Sequence, residues 1–173
     1  MTGALMARSR VVALVMLLTA LACGSSTAAE RESASAGRVE VVLAQELRKN
    51  EAAVKQDFAD VGLTNVHVQF MKAGRPPRNL GLGPKVTADR ARAAIRMAEK
   101  YNGGITILLP ERLFPDHYVT IASSSFDDTV EYPIDKAALK ELENSSLTTE
   151  QFHELYRRLT PADQPPVKKG RVF

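Results

Sequence analysis

A short apolar segment near the N-terminus constrains this chain more than any other feature. Residues 11–22 form an apolar run that follows Arg8 and Arg10 and ends at Cys23. At about 1.5 Å per helical residue the run would extend only about 18 Å, whereas a membrane-spanning helix has to cross about 30 Å. The length and the preceding arginines are typical of a secretory signal peptide, so residues 1–22 are expected to be removed.

The residues around the cysteine define the predicted anchor. Leu21, Ala22 and Cys23 resemble the lipobox of bacterial lipoprotein precursors, in which a small residue precedes a cysteine that is diacylated and becomes the mature N-terminus. The resemblance implies a membrane anchor at Cys23 on the periplasmic or extracellular side, and Gly24 implies the outer membrane if the cell has two membranes. Ala20 departs from the usual leucine. Ordinary signal-peptidase cleavage, giving a soluble exported protein, therefore remains an alternative, as does an uncleaved anchor.

Charge and cysteine content exclude several classes of protein. The 173 residues include 23 Lys and Arg against 20 Asp and Glu, a formal charge of +3, and removing Arg8 and Arg10 leaves a balance of +1. So small a surplus argues against nucleic acid as a partner. Because Cys23 is the only cysteine, the chain cannot form an intramolecular disulfide or a cysteine-based metal site. Packing has to stabilise the domain.

The mature chain divides into three parts. Residues 23–37 are rich in Ser, Ala, Gly and Glu and are predicted to form a flexible tether behind the lipidated Cys23. Residues 38–160 carry the apolar periodicities of one globular domain. Residues 161–173 begin with Pro161, which stops the last predicted helix, and are expected to form a mobile basic tail.

A long amphipathic helix is predicted over residues 38–61. Its apolar residues recur at spacings of three, four and seven, and Gly62 follows as a helix stop. The stripe would pack on the domain itself, and a protein partner bound through it is the alternative. The stripe consists of Val39, Val42, Leu43, Leu47, Val54, Phe58 and Val61.

Three strands are predicted further along the chain. Alternating apolar and polar residues indicate a strand over residues 66–70, and short apolar runs indicate strands over residues 105–109 and 118–122. A helix capped by Thr87 would link the first two strands in a right-handed β-α-β crossover, and the third strand would add an antiparallel neighbour.

Two helices complete the predicted domain. Asp135 is expected to cap a helix over residues 136–142, and Thr148 and Gln151 stand at capping-box spacing at the start of the last helix. The predicted fold is a single small α+β domain. It has a three-stranded mixed sheet, helices packed on one face and a long N-terminal helix.

The basic loop over residues 72–86 is the predicted binding site. It carries four cations and no acid, and it leads into the helix capped by Thr87. Cations beside a helix N-terminus favour an anion, although the loop lacks the motifs that bind nucleotides. A solvated loop and a protein docking site are the alternatives. The candidate anion-binding residues are Arg75, Arg78, Lys85, Arg90 and Arg92.

Catalytic groups are less well supported. The residue types of a Ser-His-Asp site occur together, but without a Gly-x-Ser-x-Gly motif or an oxyanion-hole signature. Acids around the second and third strands, among them Glu111 and Asp116, are expected to be surface residues. The three histidines are too dispersed to bind a metal, and no cofactor is expected. The weak catalytic candidates are His117, Ser123, Ser124, Ser125, Asp127 and Asp128.

These features predict a lipid-anchored protein of the cell envelope that acts as a non-catalytic binding or scaffolding module. Its expected partners are the membrane, reached through the N-terminal lipid, and an anionic glycolipid, phospholipid or peptidoglycan. The alternative is an envelope hydrolase that cleaves a glycan or an ester with the serine and aspartate cluster after the third strand.

Overall fold

The computed structural model describes residues 37–126 and 134–160. They form an α+β domain with a five-stranded mixed sheet and four α-helices. The strands are β1 (Val39–Leu43), β2 (Val66–Phe70), β3 (Asn79–Leu82), β4 (Ile107–Leu109) and β5 (Val119–Ile121). The helices are α1 (Glu51–Asp60), α2 (Ala88–Asn102), α3 (Lys136–Leu142) and α4 (Thr149–Leu159), and short 3₁₀ segments span Gln45–Asn50 and Glu111–Leu113.

Two parallel β-α-β units build the sheet. Strands β1 and β2 pair in parallel and are connected through α1, and strands β3 and β4 pair in parallel and are connected through α2. Strand β5 lies between the two units, parallel to β1 and antiparallel to β3. The strand order is therefore β2-β1-β5-β3-β4.

Helix α2 packs on one face of the sheet. The strand registers place a set of apolar residues on that face, and they form a single buried cluster with the alanine-rich side of α2. Helix α1 lies beside α2, where the rings of Phe58 and Tyr101 stack with 5.9 Å between centroids. The strand residues of the cluster include Val39, Val41, Leu43, Leu80, Leu82, Leu108, Val119 and Ile121.

The predicted long N-terminal helix is wrong. Residues Val39–Leu43 form β1, Gln45–Asn50 form a 3₁₀ segment, and only Glu51–Asp60 are α-helical in this part of the chain. Strand β1 lies between β2 and β5, and four of its five residues are buried. A strand that is buried on both faces loses the alternation by which strands are recognised. The spacing between its valines and leucine then matches the spacing of an apolar stripe on a helix.

The prediction of three strands is also wrong. The predicted strands exist as β2, β4 and β5, but β1 and β3 join them in the sheet. The predicted crossover between β2 and β4 does not occur, since these strands lie at opposite edges of the sheet. Helix α2 instead connects β3 to β4, and the antiparallel partner of β5 is β3.

Most predicted helix boundaries are confirmed. Thr87 caps α2 by accepting a hydrogen bond from the backbone N–H of Arg90, and Gly103 ends the helix in the left-handed conformation with φ of 71°. Thr148 and Gln151 form a complete capping box at the start of α4. Asp135 occupies the N-cap position of α3, but its side chain makes no capping hydrogen bond.

Candidate anion-binding site

Three arginines lie together at the N-terminal end of α2. An open cavity of about 410 Å³ is found there, between the first turns of α2 and the C-terminal end of α1. We name this cavity the α2 pocket. Its lining residues are Val61, Gly62, Thr87, Asp89, Arg90, Arg92 and Arg96.

The backbone contributes to the electrostatics of the α2 pocket. The N-terminus of α2 has a partial positive charge, which favours an anion. The hydroxyl of Thr87 already accepts a hydrogen bond from the N–H of Arg90 at 3.4 Å, and the hydroxyl of Thr149 accepts one from the N–H of Ala88 at 3.3 Å. Because side chains satisfy these two donors, the arginine guanidinium groups are the principal candidates for ligand contact.

Arg92 is the fixed cation of the α2 pocket. Only 7% of Arg92 is exposed. Its Nη2 donates to Oδ1 of Asp89 at 2.8 Å, and its Nη1 donates to the backbone carbonyl of Asn144 at 3.0 Å. A buried guanidinium needs such partners to offset the loss of water. Arg92 therefore ties α2 to the turn before α4 and adds positive potential to the pocket.

Arg90 is half-buried and only partly satisfied. Its Nη2 donates to the backbone carbonyl of Gly37 at 2.5 Å. Its Nε is buried and has no hydrogen-bond partner among the residues that the structure describes. Burial lowers the pKa of Arg90 because it removes water from the guanidinium. A ligand oxygen is one way to satisfy such a donor.

Arg96 is the exposed cation of the α2 pocket. It lies one helical turn beyond Arg92, so both side chains project from the same side of α2. The one acid that lines the pocket, Asp89, is already paired with Arg92. Three cations therefore stand against one acid, and this imbalance favours an anionic ligand. Sequence reasoning missed Arg96, although its spacing of four from Arg92 is the signal that could have identified it.

Strand β3 separates the remaining anion-binding candidates. Arg75 and Arg78 precede β3, whereas Lys85 follows it. The four residues of β3 extend about 13 Å at about 3.3 Å per residue. The Nζ of Lys85 pairs with Asp116 at 2.7 Å, and Arg75 is exposed. The α2 pocket contains Arg90 and Arg92 but not Arg75, Arg78 or Lys85.

Strand β5 separates the weak catalytic candidates. His117 precedes β5, and Ser123, Ser124 and Ser125 follow it, so the three strand residues put about 10 Å between them. Proton transfer from a serine to a histidine needs contact at about 3 Å. The backbone of Ser123 exchanges two hydrogen bonds with the side chain of Asn79, at 2.8 and 2.9 Å. Ser123 is thus held at the end of β5 through its backbone, and its hydroxyl accepts a hydrogen bond from the backbone N–H of Ser125 at 3.4 Å.

A buried acid and histidine pair was not predicted. Glu111, expected at the surface, is only 7% exposed, and its carboxylate contacts Nδ1 of His153. The Nε2 of His153 donates to the backbone carbonyl of Val86 at 2.6 Å, and Arg157 donates to the second oxygen of Glu111 at 3.2 Å. Both ring nitrogens of His153 are thus engaged. The pair holds α4 against the segment before α2 and offers no free base.

Several predicted features fall on residues that the structure does not describe. Cys23, Asp127, Asp128 and the tail over residues 161–173 lie outside the described residues. Across residues 37–126 and 134–160, no group of three or more His, Cys, Asp and Glu side chains could hold a metal ion. Over the same ranges, no helix combines the length and the apolar character that crossing a membrane requires.

Comparison with known protein families, with curated protein sequences and with solved structures finds no match to this chain. The interpretation of the α2 pocket therefore rests on its own residues.

Proposed function

We propose that this protein is a lipid-anchored lipoprotein of the cell envelope whose domain binds an anionic envelope component without catalysing a reaction. The anchor is the predicted acylated Cys23, and the binding site is the α2 pocket. The ligand group is a phosphate or carboxylate carried by a phospholipid, a phosphorylated glycolipid or peptidoglycan. Guanidinium groups suit these ligands because their planar donors match two anionic oxygens at once.

The hydrogen bond from Arg90 to Gly37 is the observation that carries this proposal. Gly37 is the last residue of the predicted tether, so the α2 pocket lies where the tether joins the domain. A flexible tether of this length has an r.m.s. span of about 20 Å. Chain connectivity then keeps the pocket close to the membrane that holds Cys23. The high effective concentration favours ligands that belong to the same membrane.

Isothermal titration calorimetry on the full chain in a non-ionic detergent tests this function. We expect micelles containing phosphatidylglycerol to bind more tightly than micelles containing phosphatidylcholine, and the difference to shrink as salt is added. The Arg96→Gln substitution removes an exposed cation and should raise the Kd for phosphatidylglycerol about 3–10-fold. A parallel titration with soluble peptidoglycan fragments distinguishes a glycan carboxylate from a lipid phosphate.

Arg75→Gln is the matched control. It makes the same change in charge at an exposed site beyond the other end of β3. We expect its Kd to stay within about twofold of the wild-type value. If every probe binds Arg96→Gln as tightly as the wild type, or if the two substitutions weaken binding equally, the α2 pocket is not the site.

A further inference from the structure

The two edges of the sheet differ in how they are covered. At the β4 edge, all three strand residues are buried, and the N–H of Ile134 donates to the carbonyl of Thr106, directly before the strand, at 2.7 Å. At the other edge, β2 pairs with β1 alone among the described strands. Across residues 37–126 and 134–160, no second strand pairs with the outer side of β2, and we call this side the free edge.

Within its own five residues, strand β2 lacks the features that usually protect a free edge, although the guanidinium of Arg48 lies over the ring of Phe70, 5.4 Å from its centroid. Natural edge strands avoid further pairing through lysines, prolines, bulges or inward-pointing charges. Residues 66–70 read Val-His-Val-Gln-Phe, with no proline and no Lys, Arg, Asp or Glu, and they pair with β1 in unbroken register. Val66, Val68 and Phe70 are only partly buried, while His67 and Gln69 are exposed. Such a strand is suited to accept another strand.

The sequence of β2 is complementary to itself. In an antiparallel pair centred on Val68, Val66 of one copy lies opposite Phe70 of the other, and His67 lies opposite Gln69. The first pair joins a β-branched and an aromatic residue, a combination that stabilises neighbouring strands. No two charged side chains oppose each other. The half-exposed apolar side chains of both copies would share one continuous face.

Helix α1 offers a compatible surface beside β2. Its Asp57 pairs with Lys100 of α2 at 2.6 Å, which fixes the side of α1 that faces α2. Ala52, Lys55 and Ala59 are exposed on another side, at spacings of three and four. Two alanines allow close approach of a second helix. The Nζ of Lys55 lies 2.6 Å from Oε1 of Glu51. This pair gives the surface one positive and one negative charge.

We propose that two copies of this chain associate through antiparallel pairing of their β2 strands about Val68. A two-fold axis perpendicular to the sheet would join the two sheets into one of ten strands, with both α1 helices on the same face. The pairing satisfies the free backbone groups of both edges and covers the partly exposed valines and phenylalanine.

Substitutions at positions 67 and 69 test this pairing and its register. Both side chains are exposed, so charges can be introduced without disturbing the core. In the double variant His67→Lys/Gln69→Lys, the ammonium group at position 67 of each copy lies opposite the ammonium group at position 69 of the other copy. The dimer therefore contains two pairs of like charges. In His67→Lys/Gln69→Glu, each ammonium faces a carboxylate. The protein mass of the full chain in detergent, measured by light scattering over a concentration series, gives the dissociation constant of the dimer.

We expect wild type to form a dimer, the lysine pair to raise the dissociation constant about tenfold or more, and the lysine and glutamate pair to restore it. Circular dichroism confirms that all three forms are folded. The proposal is overturned if the wild-type protein stays monomeric at the highest concentration. This holds even if a different protein is found to bind the β2 edge. Equal dissociation constants for the two variants overturn it as well.

Discussion

Tyr156 shows how one side chain fixes the position of α4. It is fully buried, and its hydroxyl contacts two backbone carbonyls, of Leu109 at 2.7 Å and Leu80 at 3.0 Å. These carbonyls belong to β4 and β3, so one phenol links α4 to both strands. Burial raises the pKa of Tyr156, and the nearby charge of Glu111 acts in the same direction. The hydroxyl therefore keeps its proton in the folded protein well into the alkaline range.

The Tyr156→Phe substitution should reveal this linkage through its pH dependence. At neutral pH we expect the free energy of unfolding to fall by about 1–3 kcal/mol, because the hydrogen bond that the buried hydroxyl donates, shared between the two carbonyls, is lost. The folded pKa lies above the unfolded value of about 10, so the contribution of Tyr156 is complete below pH 10 and is lost as pH rises further.

The difference between wild type and Tyr156→Phe should therefore narrow by about 1.4 kcal/mol per pH unit above pH 10. Urea unfolding at a series of pH values measures it. A difference that stays constant between pH 9 and 11 would show that Tyr156 titrates normally in the folded protein.

At the scale of secondary structure, the sequence predicted elements with one buried face, and it predicted the buried strands β4 and β5 from their short apolar runs. It missed β1 and β3, whose residues fit a helical stripe and a glycine-rich loop instead. Strand β2 alternates, α2 has an apolar stripe, and the capping box marks the start of α4, so all three were predictable. All four residues of β3 are buried. Its sequence, Asn-Leu-Gly-Leu, resembles a glycine-rich loop because nothing in it shows that the ring of Phe114 covers Gly81.

The failure to predict β3 also limited the prediction of the candidate anion-binding site. Arg90 and Arg92, which the sequence singled out as cations near a helix N-terminus, both line the α2 pocket. Arg75 and Lys85 were grouped with them because residues 72–86 were interpreted as one loop. Once β3 occupies the middle of that segment, its two ends cannot converge. The buried partner of His153 was also unpredictable, since Glu111 and His153 are 42 residues apart.

Glycines around β3 provide a test of this close packing. A Cβ at Gly83 would lie 1.8 Å from the backbone carbonyl of Pro115, whereas a Cβ at Gly74 would meet nothing within 4 Å. We expect Gly83→Ala to reduce the free energy of unfolding by about 3 kcal/mol, because a backbone segment has to move. Gly74→Ala should cost about 1 kcal/mol, since its φ of 85° suits glycine.

Thermal and urea unfolding of the two alanine variants give both values. The comparison separates steric packing from backbone preference, since only Gly83 has a neighbour in the way and only Gly74 has a positive φ. If Gly74→Ala were the more damaging substitution, the close contact between Gly83 and Pro115 would not contribute to stability as described.

At the scale of the whole molecule, the proposed function depends on two independent attachments. The predicted acyl anchor at Cys23 would hold the chain at the membrane, while the α2 pocket would select an anion there. Their contributions are separable because they lie on different residues. Loss of the anchor should change where the protein resides, and loss of Arg96 should change only what its domain binds.

Metabolic labelling with an alkyne fatty acid tests the anchor. We expect the wild-type chain to take up the label and Cys23→Ser to lose it, because the chain contains one cysteine. Mass spectrometry of the mature wild type should find an acylated N-terminal peptide that begins at Cys23. The Arg96→Gln variant should be labelled like the wild type and remain in the membrane fraction, since hydrophobic insertion of acyl chains does not require the pocket. An unlabelled wild-type chain that still carries Met1 would remove the anchor from the proposal, while calorimetry on the full chain would still decide whether the α2 pocket binds anions.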